Sequence, residues 1–104
     1  MSVMADSGGR IVVQIDPDLM PLIPGFLAHR RQDMDVMRKA FADRDFAAIR
    51  VVGHNMRGCG AGYGFPAITD FGTLLEQAAL GRDTAAIEKC MSDLTSYLDR
   101  VDVV

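Results

Sequence analysis

The sequence predicts an all-α domain: an antiparallel up-and-down bundle of four helices with a short N-terminal extension. Three observations carry that expectation. Apolar residues recur at spacings of three and four along four separate stretches, which puts them on one face of each helix. Aspartate or proline stands where each helix should begin, the residues that satisfy or tolerate unpaired N-terminal amides. The links are short, so consecutive helices pack as antiparallel neighbours. At 104 residues the chain has the size of one domain, enough for a core without disulfides or metal.

Residues 1–9, ending Ser7-Gly8-Gly9, read as a loose, flexible tail ahead of a bundle spanning 10–104. Arg10-Ile11-Val12-Val13-Gln14-Ile15-Asp16 is β-branched and suits an extended segment lying on the bundle, with no second strand to join. Asp16-Pro17 reads as an N-cap followed by proline, opening a turn or two through Leu22. Pro24-Gly25 breaks or kinks it, and a longer helix runs to about Asp43. Ile23, Phe26, Leu27, Met34, Met37 and Phe41 form its stripe. Arg30 interrupts the stripe and is expected to snorkel or pair with a carboxylate at the bundle edge, the alternative being a role beside His54, whereas His29 points to solvent.

Asp45 caps a second helix from near Phe46, with Ala48, Ile49, Val52, Met56, Cys59 and Tyr63 on its inner face. Gly62 and Gly64 are suited to a left-handed ending, and Pro66 starts a third helix whose apolar residues are Ile68, Phe71, Leu75, Ala78 and Ala79. Gly81 closes it. Asp83 or Thr84 caps the fourth helix, with Ile87, Cys90, Met91, Leu94, Tyr97, Leu98 and Val101 facing inward.

Composition excludes several functions. Lys and Arg total 11 against 14 Asp and Glu, a net charge of −3, and phosphate-backbone binding needs a basic face. No run approaches the ~20 apolar residues of a membrane span, and the first residues lack a basic stretch followed by an apolar one. The expected address is the cytoplasm. Cys59 and Cys90 fall on core faces as small hydrophobes, and two histidines without clustered cysteines give no zinc site.

The informative stretch is residues 53–64, Gly-His-Asn-Met-Arg-Gly-Cys-Gly-Ala-Gly-Tyr-Gly. Each glycine inside a helix costs about 1 kcal/mol relative to alanine, so a run of them marks a turn or a functional site. His54 points away from the core face. Arg50 lies four residues before it, Arg57 three after, Gly58 four after and Ala61 seven after, all on the same outward side. Two arginines favour an anion placed on the imidazole, and a phosphoryl group suits both the nucleophilic ring and the guanidinium groups. Gly58 and Ala61 clear the approach for a second protein that must bring its reacting atom within roughly 3–3.5 Å.

His54-x-Met56-Arg57-Gly58, then Gly64, Ile68, Phe71, Leu75 and Glu76, resembles the signature of histidine-containing phosphotransfer (HPt) domains, H-x-L-[KR]-G followed by a glycine and hydrophobics ending in L-E. The departures are Met56 for leucine, Cys59-Gly60 where small residues such as serine or alanine are frequent, and Gly72 where cysteine or another small residue is common. The resemblance implies that His54 Nε2 takes a phosphoryl group from a receiver-domain aspartate and passes it to another. It implies Arg57 as the phosphate-orienting charge and Gly58 as the clearance residue; Arg50 is added from helical geometry alone. It implies no cofactor of the chain's own, with Mg²⁺ supplied by the partner receiver. The implied partners are response-regulator receiver domains and a hybrid histidine kinase; the chain itself is expected to be a monomer.

Other readings fit less well. The glycines do not match G-x-G-x-x-G at any start, and no Gly-Lys-Ser/Thr occurs. A bundle of this length has no room for an ATP-binding domain. An interaction module that binds a receiver or other signalling protein without carrying phosphate is the main alternative. A third is a hydrophobic ligand held among Met20, Met34, Met37, Met56 and Met91.

Overall fold

The four apolar stripes do form helices that bury their stripes against one another, as a computed structural model describing residues 9–104 shows. The elements run β1 (Ile11–Val13), α1 (Ile23–Ala42), α2 (Phe46–Cys59), α3 (Pro66–Leu80), α4 (Thr84–Arg100) and β2 (Val101–Val103). Residues 1–8 of the expected tail lie outside the described residues.

The helix starts follow local chemistry. Asp45 and Asp83 each accept a hydrogen bond from the amide three residues on, Ala48 and Ala86, at 3.1 and 3.0 Å. Each such cap is worth about 1 kcal/mol. Pro24 and Pro66 lie in the first turns of α1 and α3, where a missing N–H costs nothing. Pro24-Gly25 therefore belongs to the start of α1 and does not break it. Asp16 instead accepts from the Asp18 amide at 2.9 Å, closing a turn, and a short 3₁₀ turn at Met20–Leu22 leads into α1.

The α1–α2 and α3–α4 links are built alike. Arg44-Asp45-Phe46-Ala47-Ala48-Ile49 and Arg82-Asp83-Thr84-Ala85-Ala86-Ile87 differ at one internal position. In both, the arginine is left-handed (φ 55° and 52°), and the aspartate amide reaches back to the carbonyl of Ala40 or Ala78 at 2.8 and 2.9 Å. That bond closes the preceding helix. A left-handed non-glycine costs about 1 kcal/mol or more; here the Arg44 guanidinium lies over Phe41 and that of Arg82 over Phe46, 4.4 and 5.7 Å from the ring centroids. The second contact joins the two links.

Ile23, Met37, Ile49, Met56, Phe65, Ile68, Leu75, Ile87 and Leu94 are fully buried. Each contributes roughly 1.5–3 kcal/mol by leaving water. Met34, Met37 and Met56 are thus ordinary core. Phe26 stacks on Tyr63 and on Phe65, at 4.5 and 5.3 Å between centroids, tying the start of α1 to the α2–α3 link. Arg30 meets its expected carboxylate, Asp33, at 2.9 Å, and donates to Cys59 Sγ at 2.8 Å. Burial raises the Asp33 carboxyl above its usual range against the pull of Arg30. Cys90 is buried as expected and its thiol is pushed up to about 11, while Cys59 is only half-buried.

Two further expectations are corrected. The N-terminal segment does have a strand to join: β1 pairs in parallel with β2, Ile11 opposite Val101 and Val13 opposite Val103. Ile15 N–H donates to Val104 O and Val104 N–H to Val13 O, both at 3.0 Å, and Arg10 pairs with Asp102. Parallel strands need a crossover, and the whole helical array supplies it. Val101, expected on the inner face of α4, therefore belongs to β2; its spacing from Leu94 and Leu98 mimicked one more helical turn. The second correction concerns α2, which ends at Cys59, so Ala61 and Tyr63 stand beyond it in a 3₁₀ turn at Ala61–Tyr63. Of the glycines there, Gly64 alone is left-handed, with φ 94°.

Candidate functional site

His54 stands on α2 with its side chain 61% exposed, on the outward face that helical spacing assigns it. Packing then adds a partner from α3. Glu76, only 16% exposed, places Oε2 3.2 Å from His54 Nδ1 and Oε1 2.9 Å from Arg57 Nε. Arg57 Nη2 is itself 3.0 Å from His54 Nδ1. One carboxylate thus touches both the imidazole and the arginine of the motif.

These three contacts do not all form hydrogen bonds at once. A carboxylate only accepts and a guanidinium only donates. Nδ1 bonds to Glu76 when it carries the proton and to Arg57 when it does not. We favour the first arrangement, because Arg57 already has its carboxylate through Nε whereas Glu76 Oε2 has no other donor than Nδ1 among the described residues. In that tautomer the lone pair is on Nε2, which makes no hydrogen bond among the described residues.

Glu76 reaches the ring because α2 and α3 touch backbone to backbone. A Cβ at Gly53 would stand 2.8 Å from Glu76 N and 2.9 Å from Gly72 O. One at Gly72 would stand 2.4 Å from Arg57 N and 2.6 Å from Gly53 O. Neither position has room for a side chain. Glu76 was legible only as the end of the motif; Gly72 one helical turn before it was the signal that α3 comes close enough for a carboxylate to arrive.

Arg50 and Val51 border, with His54 and Glu76, a shallow groove of about 240 Å³. Arg50 is exposed and makes no ion pair among the described residues, and Val51 is 59% exposed. Of the two arginines expected around the ring, Arg57 is committed to Glu76 and Arg50 is not. A Cβ at Gly58 would meet nothing within 4 Å, as an access position requires. Ala61 is exposed too, though it sits in the turn after α2 and not on the helix. Gly60 faces inward, where a Cβ would lie 2.5 Å from Thr69 N.

The openness at Gly58 yields a direct expectation. Gly58→Leu keeps the fold, with a melting temperature at or above wild type because helix propensity improves, while placing a branched side chain beside His54. Thermal unfolding checks it.

Among the described residues no group of three or more His, Cys, Asp or Glu converges as a metal site, and no helix is long and apolar enough to cross a membrane. No family model, curated protein or solved structure matches the chain in the three comparisons made.

Proposed function

We propose that this chain is a phosphocarrier of the HPt type, receiving a phosphoryl group on His54 from a receiver-domain aspartate and returning it to another. The observation that carries the reading is an exposed imidazole whose Nδ1 rests on a carboxylate already paired with Arg57, on a face kept open by Gly58. The motif His54-x-Met56-Arg57-Gly58 supports it from the sequence side.

The transfer balances simply. The Nε2 lone pair forms an N–P bond while the acyl-phosphate P–O bond breaks and its electron pair stays on the departing aspartate carboxylate. Glu76 holds the proton on Nδ1 and stabilises the positive charge that develops on the ring as the bond forms. Arg50, which makes no ion pair among the described residues and borders the same groove, is a source of charge for the phosphoryl oxygens; Arg57 joins it by releasing Nε from Glu76. Mg²⁺, as the HPt resemblance implies, would be held by the partner's carboxylates; Glu76, the carboxylate that reaches this ring among the described residues, is taken by Arg57 and His54.

The helices run antiparallel, up and down, in this reading. Its support is that the start of α1 meets the α2–α3 link through Phe26, while the α1–α2 and α3–α4 links meet through Arg82 and Phe46. A monomer working in the cytoplasm suits a carrier that must exchange between receivers.

Incubating the chain with receiver domains charged by acetyl phosphate tests the proposal. A subset should load His54 within seconds to minutes; a panel in which no receiver transfers would sink it. Glu76→Ala should slow direct labelling of His54 by phosphoramidate about tenfold, the scale of one charge-assisted hydrogen bond, with Glu76→Gln partly restoring it through the amide oxygen. An unchanged labelling rate would remove Glu76 from the mechanism.

A further inference from the structure

α2 stops in an unusual way. In a continuing helix the Ala61 amide would donate to the Arg57 carbonyl four residues back. Here the Thr69 hydroxyl of α3 stands between them: Ala61 N–H donates to Thr69 Oγ1 at 2.8 Å, and Thr69 Oγ1 donates to Arg57 O at 3.1 Å. The preceding bond, Gly60 N–H to Met56 O at 3.0 Å, is ordinary. After the insertion the chain tightens into the 3₁₀ turn, with Tyr63 N–H on Gly60 O and Gly64 N–H on Ala61 O. A side chain at position 60 would exclude the hydroxyl, because its Cβ would lie 2.8 Å from Thr69 Oγ1.

Thr69, Gly72, Thr73 and Glu76 follow one face of α3 at spacings of three and four, and that face grips Arg57 along its length. Thr69 takes its carbonyl, Gly72 admits its amide, and Glu76 holds its guanidinium. We propose that Thr69 is a positioning residue for partner docking: by replacing one α2 backbone bond with a hydroxyl bridge, it sets where Ala61 and the turn after Gly58 stand as the rim on which a receiver lands. The inference rests on the phosphocarrier reading and assigns Thr69 to docking, not to the chemistry at Nε2.

The experiment compares Thr69→Val, which keeps the shape without the hydroxyl, with Thr69→Ser, which keeps the hydroxyl. Thr69→Val should raise KM for a phosphorylated receiver about five- to tenfold, the scale of one or two lost hydrogen bonds, with kcat and the phosphoramidate labelling rate unchanged. Amide exchange at Ala61 should accelerate in the same variant. Thr69→Ser should match wild type in every measurement; Thr69→Ala replaces Thr69→Val if that variant fails to fold. Equal KM values for wild type and Thr69→Val overturn the inference, as do slowed phosphoramidate labelling or a Thr69→Ser variant as impaired as Thr69→Val. Failure of every receiver to load the wild type, with phosphoramidate still labelling His54, overturns the phosphocarrier reading instead, and Ala61 exchange still reports whether the hydroxyl bridge exists.

Discussion

His54→Gln should carry no acid-labile, base-stable label after incubation with phosphorylated receivers, while wild type carries one per chain at saturation. The stability pattern identifies an N–P bond, because an acyl phosphate is lost in base and a serine or threonine phosphoester survives acid. Glutamine keeps a hydrogen-bonding group opposite Glu76, so the neighbouring Arg57–Glu76 pair at 2.9 Å has no reason to rearrange. What it lacks is a nucleophilic nitrogen, since the amide lone pair is delocalised. The expected effect is total loss at unchanged melting temperature. His29 is the internal control: it too is exposed, yet no carboxylate holds its ring among the described residues. Label persisting in His54→Gln, or lost only in His29→Gln, would refute the assignment of His54. Receiver binding that survives with no label on wild type would favour an interaction module that carries no phosphate.

The largest effect on stability is expected at Gly72. An alanine there would set its Cβ 2.4 Å from Arg57 N and 2.6 Å from Gly53 O. Both are backbone atoms of a helix, which no side-chain rotation relieves. α2 and α3 must separate, and the cost should be about 3 kcal/mol, at the upper end for overpacking, or a fall in melting temperature of more than about 10 °C. Gly25→Ala is the matched control, since a Cβ at that position in α1 meets nothing within 4 Å. It should be neutral or stabilising by up to about 1 kcal/mol. Calorimetry on the two variants decides the matter; a Gly72→Ala protein as stable as wild type would mean that the helices do not approach so closely. Separation would also draw Glu76 from His54, so labelling should slow in whatever fraction remains folded.

The helices were legible from the chain because their causes are local. Apolar spacing chooses the buried face, and Asp45, Asp83, Pro24 and Pro66 mark starts through bonds or constraints within a few residues. Helical spacing put Gly58 on the outward side with His54, and a Cβ there meets nothing within 4 Å, whereas one at Gly60 would lie 2.5 Å from Thr69 N. That spacing failed where the helix stopped. It carried α2 through Ala61 and Tyr63, since nothing in residues 53–64 shows that a threonine from α3 will replace a backbone partner. It also read Val101 as one more turn of α4, because Val101 stands three residues after Leu98 and seven after Leu94, a helical spacing.

By itself the sequence determined four helices, their buried faces, and an exposed histidine with arginines and a small residue at helical spacing around it. Only the tertiary structure decided what His54 rests on, how α2 ends and where the N-terminal strand goes. Glu76 is 22 residues from His54, Thr69 is 12 from Arg57, and Arg10 is 92 from Asp102. Contacts at such separations depend on how closely whole elements approach, and here Gly53, Gly60 and Gly72 set that distance for α2 and α3. Helical period is a property of each segment alone; the carboxylate at the imidazole is a property of two segments packed without side chains between them.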